Sequence, residues 1–237
     1  MQPPQDRFED RMKPILLINP NTSVLTTQMM VDIARACLAD WPGRVPAIHG
    51  LTMPHGVPMI IEEADLQAAA QAVGELAFTQ TELVADDVCG VIVAAFGDPG
   101  VTALRQRLAV PVVGIGEAAM REAAQHGRRF GIATTTPSMA ASIVANVRRH
   151  GLEAAFSGAR FTSGDPQAFA RQPAALEAAL ADAVGACIDI DRAQAVVIGG
   201  GPLGQAAQAL SKRFDIPVIG PVPAACRSLL HMLAGMR

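Results

Sequence analysis

The stretch VIVAAFGDPGVTALRQRLAVPVVGIGEAA (Val91–Ala119) returns later in the chain as VVIGGGPLGQAAQALSKRFDIPVIGPVPAA (Val196–Ala225). In both copies an apolar run enters a Gly/Pro turn, an amphipathic helical stretch follows, and a second apolar run opens on Pro-Val. Upstream of each copy, KPILLINPNTS (Lys13–Ser23) is echoed by RRFGIATTTPS (Arg128–Ser138): basic residue or pair, strand, polar turn, helix. A chance likeness between generic βα units would not keep both spacing and turn chemistry over about thirty residues, so the chain reads as an internal duplication. Two similar lobes related by a pseudo-twofold axis are expected.

Working outward, the rhythm is βαβα. Ile15–Ile18 reads as a strand, Leu25–Leu38 as a helix, Val45–Leu51 as a second strand and Glu62–Leu83, rich in Ala, Leu, Gln and Glu, as a long helix. Val88–Phe96 is a continuous apolar run of the kind buried on both faces, followed by a helix over Val101–Leu108. Alternation of this kind predicts an α/β fold, with parallel sheets covered by helices in two Rossmann-like lobes. The expected division is residues 13–117 for the first lobe, completed by a C-terminal helix over 221–237, and 118–220 for the second. Residues 1–12 are expected to form a polar tail.

Composition narrows the function classes. Half of the 237 residues are apolar and 17% are charged, which excludes a disordered chain. The 19 basic and 22 acidic side chains leave a net charge of −3, without a basic stripe, so no nucleic-acid partner is expected. The N-terminus carries no signal-type apolar segment, and the apolar runs are too short to span a bilayer. Cys37, Cys89, Cys187 and Cys226 are scattered in apolar stretches, which fits reduced thiols in a cytoplasmic protein. No metal-ligand spacing, phosphate-binding loop, dinucleotide fingerprint or G-x-S-x-G is present, so neither metal nor cofactor is expected.

Ligands of open parallel sheets bind beyond the carboxyl ends of the strands. Four turns there are the expected site walls: Asn19-Pro20-Asn21-Thr22-Ser23, Ala95-Phe96-Gly97-Asp98, Thr134-Thr135-Thr136 and Gly199-Gly200-Gly201-Pro202. Their amides and hydroxyls offer polar contacts to a small substrate, and the glycine-rich turn offers backbone N–H groups for a carboxylate or oxyanion. The same Asn and Thr residues also suit helix caps and Asx turns.

The motifs INPNTS, FGDPG followed by PVVGIGEAA, and the glycine-rich turn followed by PVIG resemble those of hydantoin and allantoin racemases, within the Asp/Glu racemase superfamily. The resemblance runs from about Lys13 to Ala225. It implies a cofactor-independent enzyme, commonly oligomeric, with its site between two lobes. It also implies one cysteine at each matched strand end, the two serving as acid and base on opposite faces of the substrate. Here the chain departs from the pattern. Ala95 stands where the family pattern Cys-Phe-Gly-Asp-Pro-Gly has its cysteine, and Gly200 stands where Gly-Cys-Ala-Gly has the second.

Neither residue can carry a proton, so thiol-based racemisation is not expected. The expectation is a small carboxylate or cyclic ureide or amide as substrate, turned over by non-thiol hydrolase or lyase chemistry. The alternatives are a racemase using other groups and a non-catalytic metabolite-binding homologue. His55, in the loop MPHGVP, is the leading candidate acid/base, with Glu62 and Glu63 close in sequence. Asp98 is expected to form its turn and cap the helix at Val101; its second reading is a displaced general base. His49 is placed on a strand, and His126, His150 and His231 near helix ends. Glu117 is placed in the first turn of a helix, where the dipole favours it.

Overall fold

The computed structural model describes residues 12–79, 87–164, 166–169 and 172–236. Its first half runs β1 (Ile15–Asn19), α1 (Val24–Ala39), β2 (Ile48–Thr52), α2 (Glu63–Thr79), β3 (Gly90–Val93), α3 (Val101–Arg107), β4 (Val112–Gly114) and α4 (Ile115–Ala123). The second half runs β5 (Phe130–Thr134), α5 (Ala140–Arg149), β6 (Phe156–Phe161), α6 (Pro166–Phe169), α7 (Pro173–Asp189), β7 (Ala195–Gly199), α8 (Gly204–Leu210), β8 (Val218–Ile219) and α9 (Pro221–Gly235). The strands form two parallel four-stranded sheets, ordered β2-β1-β3-β4 and β6-β5-β7-β8. The repeat in sequence is thus a repeat in topology.

Strand alternation explains the layering. Ile15 and Leu17 face an inner core, and Leu16 and Ile18 face an outer one. The inner core is shared by both sheets: Ile15, Leu17, Ile92 and Val113 of one meet Phe130, Ile132, Val197 and Ile219 of the other, with Ile115 and Met120 of α4 and Val222 and Leu229 of α9 between. Each fully buried aliphatic side chain there contributes about 1.5–3 kcal/mol. Separate outer cores lie under α2 and α3 on the first sheet, and under α7 and α8 on the second. The two halves also exchange helices: α4 packs on β7, β8 and α5, whereas α9 packs on β3, β4 and α1.

Several boundaries differ from those read off the sequence. The second strand is Ile48–Thr52, three residues later than expected, because Pro46 precedes it. The run Val88–Phe96 is a strand only over Gly90–Val93; Ala94 still pairs through its N–H with Ile18, and Ala95 begins the turn. The helix expected over Glu62–Leu83 starts at Glu63 and is described to Thr79; residues 80–83 lie outside the described residues. Most of the expected tail does too. Among the described residues, no helix is long and apolar enough to cross a membrane.

Candidate functional site

Four polar turns meet at the carboxyl ends of the strands. The first, after β1, is largely self-satisfied. Asn19 donates through Nδ2 to Asn21 Oδ1 (2.7 Å), to the Ser23 carbonyl (3.1 Å) and to Thr27 Oγ1 (3.0 Å). Asn21 Oδ1 also accepts from Ser23 N–H, closing an Asx turn, and Ser23 Oγ caps α1 by accepting from Thr26 N–H. Asn19, Asn21 and Ser23 therefore shape the turn. Thr22 differs: its hydroxyl makes no hydrogen bond among the described residues, and it is half-buried.

The turn after β5 divides in the same way. Thr134 is buried and donates its hydroxyl to the Gly199 carbonyl (2.5 Å), tying the β5 and β7 ends together. Thr135, 8% exposed, and half-buried Thr136 make no side-chain hydrogen bond among the described residues. Ser138, one residue beyond Pro137, donates to the Ile61 carbonyl of the first half.

That contact fixes one end of the loop carrying His55. The loop leaves β2, where Met53 N–H donates to the Asn19 carbonyl. It is tied again where Thr22 N–H donates to the Val57 carbonyl, and it ends at Ile61 under Ser138. Residues 53–61 thus bridge the β1 turn and the β5 turn. His55 is exposed near its start and has no hydrogen bond or ion pair among the described residues. Glu62 and Glu63 show no contact with it; the acid in use there is Asp65, which accepts from Ile61 and Glu62 N–H (both 3.1 Å).

The turns after β3 and β7 hold Ala95, Phe96 and Gly97 and then Gly200, Gly201 and Pro202, and they approach closely. A Cβ placed on Gly201 would lie 3.2 Å from the Ala94 carbonyl oxygen, 3.3 Å from Ile115 Cδ1 and 2.5 Å from Met30 Sδ, so a side chain there would have to displace Met30. A Cβ on Gly97 would strike Leu66. Gly200 lies at φ +157°, ψ 128°, and its N–H donates to the Ile198 carbonyl (3.1 Å). Ala95 and Gly200 bring no ionisable group to these turns.

Asp98 does not cap the helix at Val101 as expected; α3 is entered through Gly100 at φ +78° without a side-chain cap. Asp98 itself sits at φ +53°, which turns its carboxylate across β4 to the N-terminus of α4. Oδ1 accepts from Gly116 N–H and Oδ2 from Glu117 N–H, each at 2.7 Å, and Asn146 Nδ2 approaches Oδ2 at 3.2 Å. A buried carboxylate aligned on two helix N-terminal donors has both charge and dipole reasons to be there. The glycines of GIG make the room, since a Cβ on Gly114 or Gly116 would collide with this carboxylate.

Residues not singled out as site residues hold this centre. Asn146 of α5 also donates to the Phe96 carbonyl (3.1 Å), joining the second half to the FGDPG turn. His150, at the end of α5, is nearly buried, its side chain 10% exposed. Its Nε2 is buried without a hydrogen-bond partner, 3.7 Å from Asp98 Oδ2, and Nδ1 lies 3.8 Å from Glu117 Oε1. Burial opposes the charge on Glu117, but hydrogen bonds from Arg121 and Arg105 prevail and hold its carboxyl below the ordinary range. Asn146 carried a signal in the sequence: an amide between Ile143 and Val147, on the apolar stripe of a short helix, needs partners.

No thiol stands in for the missing pair. Cys89 precedes β3, at the far end from Ala95. Cys187 is buried in α7, where burial pushes its thiol up to about 12. Cys37 of α1 contacts Pro223 and Arg227 of α9 and packs against the core cluster that holds Cys226. Among the described residues, no group of three His, Cys, Asp or Glu side chains could hold a metal ion.

Comparison with known proteins agrees with this architecture. A hydantoin racemase of Paenarthrobacter aurescens is 29% identical over 222 residues, covering 93% of this chain and 91% of its own. The structure of an allantoin racemase from Klebsiella pneumoniae superposes with a TM-score of 0.83 at 29% identity, covering 94% of this chain and 89% of that one. An allantoin racemase from Pseudomonas fluorescens gives 0.84 at 25% identity, covering 94% and 92%. The family model described as Asp/Glu/hydantoin racemase matches residues 15–229, and the chain belongs to that family.

Proposed function

We propose that this protein is a thiol-free racemase of a five-membered cyclic ureide of the hydantoin or allantoin kind, with His55 as its base. The relatives named above are racemases, and none supports the hydrolase or lyase chemistry expected from the loss of both thiols. That expectation is set aside.

The observation that carries the reading is the place of His55. It is exposed, without a hydrogen bond or ion pair among the described residues, on a loop tied at both ends to the strand-end turns, while Ala95 and Gly200 are inert. A ring carbon next to a carbonyl loses its proton to a neutral imidazole, and the electron pair moves onto the carbonyl oxygen as an enolate. The enolate is planar. Water can return a proton to either face, so one base suffices to racemise, without a second group opposite. The hydroxyls of Thr22, Thr135 and Thr136 are the donors assigned to the ring carbonyls and the developing oxyanion. Asn19, Asn21, Ser23 and Thr134 hold these turns in shape, and Asp98 supports the turn carrying Ala95, Phe96 and Gly97.

The test is incubation of single enantiomers of 5-substituted hydantoins and of allantoin in D2O, followed by circular dichroism and NMR. Loss of optical signal with deuterium entering the ring carbon is expected, and His55→Ala should abolish both. Undiminished exchange in His55→Ala would remove His55 from the mechanism. Binding without any deuterium uptake would overturn the racemase reading in favour of a metabolite-binding protein.

A further inference from the structure

We propose that Cys37 and Cys226 form a redox-active dithiol. Cys37 is the thiol that meets a hydroperoxide, and Cys226 is the thiol that resolves it to an intramolecular disulfide. Neither residue belongs to the strand-end site. Cys37 lies in the last turns of α1, and Cys226 lies on α9 where that helix packs against α1.

The surroundings separate the two sulfurs by role. Cys37 is half-buried and reachable from solvent, whereas Cys226 is fully buried. Arg227 points Nη1 at Cys37 Sγ (3.9 Å), and its other nitrogens are clamped by Glu122 at 3.0 Å (Nε to Oε2) and 2.8 Å (Nη2 to Oε1). The clamp fixes the guanidinium's direction, so a positive charge faces this sulfur at all times. Cys37 donates to the Pro223 carbonyl (3.7 Å) and accepts from Arg227, so its sulfur lies on the stretch of α9 that carries Cys226, and both residues belong to the same core cluster. The neighbouring Cys226 thiol, with Arg227 adding to it and against the effect of burial, holds the Cys37 thiol below the ordinary range. Cys226 moves the other way, held well above the ordinary thiol range by the neighbouring Cys37 sulfur and by burial. The accessible sulfur thus faces a clamped cation, and the buried sulfur lies on the α9 segment packed against it, the division of labour that a two-step oxidation requires.

The chemistry balances. The Cys37 thiolate attacks the peroxide O–O bond, forming a sulfenic acid (S–OH) and releasing hydroxide, or an alcohol from an organic hydroperoxide. The Cys226 sulfur then attacks the Cys37 sulfur as its own proton leaves, the S–S bond forms, and the sulfenic oxygen departs as water. Two thiols lose two electrons, and one peroxide gains them. The product ties α1 to α9, joining the C-terminal helix covalently to the half of the molecule it packs on.

The experiment treats the full chain, first reduced and freed of reductant, with stoichiometric hydrogen peroxide, then blocks residual thiols with iodoacetamide. Free thiols should fall from four to two, and peptide mass mapping should find the Cys37 and Cys226 peptides joined with loss of two hydrogens. Dithiothreitol should restore all four. Cys226→Ser should stop at sulfenic or sulfinic acid on Cys37, and Cys187→Ser should form the disulfide as the unaltered protein does. Four free thiols after peroxide would overturn the proposal, as would a disulfide mapped to another pair or between chains. Mapping on the unaltered protein separates these outcomes even if a variant fails to fold.

Discussion

Replacing Asp98 tests whether its carboxylate is a structural anchor or a catalytic base. In Asp98→Ala, the Gly116 and Glu117 N–H groups lose acceptors at 2.7 Å, and Asn146 Nδ2 loses one at 3.2 Å. Charge-assisted bonds of this kind contribute about 1.5–3 kcal/mol each, and a buried donor left alone costs about 1–3 kcal/mol. Since these losses overlap and part of the helix-dipole term goes with them, the net cost is about 3–5 kcal/mol. Alanine at φ +53° adds about 1 kcal/mol of backbone strain. The series Asp98→Asn, Asp98→Gly and Asp98→Ala separates these contributions. Asparagine keeps one acceptor oxygen and tolerates the left-handed backbone, so it should cost about 2 kcal/mol. Glycine removes the carboxylate but not the backbone freedom, and should stand about 1 kcal/mol above alanine. Urea denaturation followed by far-ultraviolet circular dichroism reads the order directly. In a chain of this size the thermal midpoint moves by about 2–4 °C per kcal/mol, so Asp98→Ala should melt roughly 8–24 °C lower. An Asp98→Ala variant within about 1 kcal/mol of the parent would refute the anchoring role. Glycine below alanine would refute the strain at this backbone position.

Asn146→Ala should cost about 1.5–3 kcal/mol, because it orphans the Phe96 carbonyl and leaves part of the Asp98 carboxylate uncovered. A double-mutant cycle with Asp98→Asn should return a coupling above about 0.5 kcal/mol; strict additivity would show that the two do not act as one unit. Returning thiols to the two family positions should be unequal. Ala95→Cys adds one atom to an existing Cβ in a half-buried turn and should melt within about 3 °C of the parent. Gly200→Cys forces a side chain onto φ +157° against Leu203 and should cost about 1–3 kcal/mol; equal melting of the two variants would contradict that strain.

Much of the architecture was already legible in the chain. The repeat of Val91–Ala119 as Val196–Ala225 requires two units of the same βα order, and the unbroken apolar runs at Ile15–Ile18 and Val91–Phe96 require helices on both faces of the sheet. The positions of Ala95 and Gly200 were equally plain, because turn chemistry between a buried strand and a helix is local. Polar-turn roles were legible only as pairs of alternatives. Asn19 and Thr134 bond into their turns, whereas the hydroxyls of Thr22, Thr135 and Thr136 make no hydrogen bond among the described residues, and no local rule separates one threonine from its neighbour.

Tertiary structure decided what sequence distance conceals. Asp98 was read against the helix three residues away, yet it caps one that begins seventeen residues on, because its left-handed backbone turns the carboxylate across β4. His150 and Asn146 reach the same centre from the other half of the molecule, and the exchanged C-terminal helix brings Pro223, Cys226 and Arg227 to the cluster against which Cys37 packs. A sequence specifies periodicity, breakers and turn types, which depend on neighbours a few residues apart. Which buried polar groups meet depends on how two covered sheets close against each other, and only the packed core fixes that.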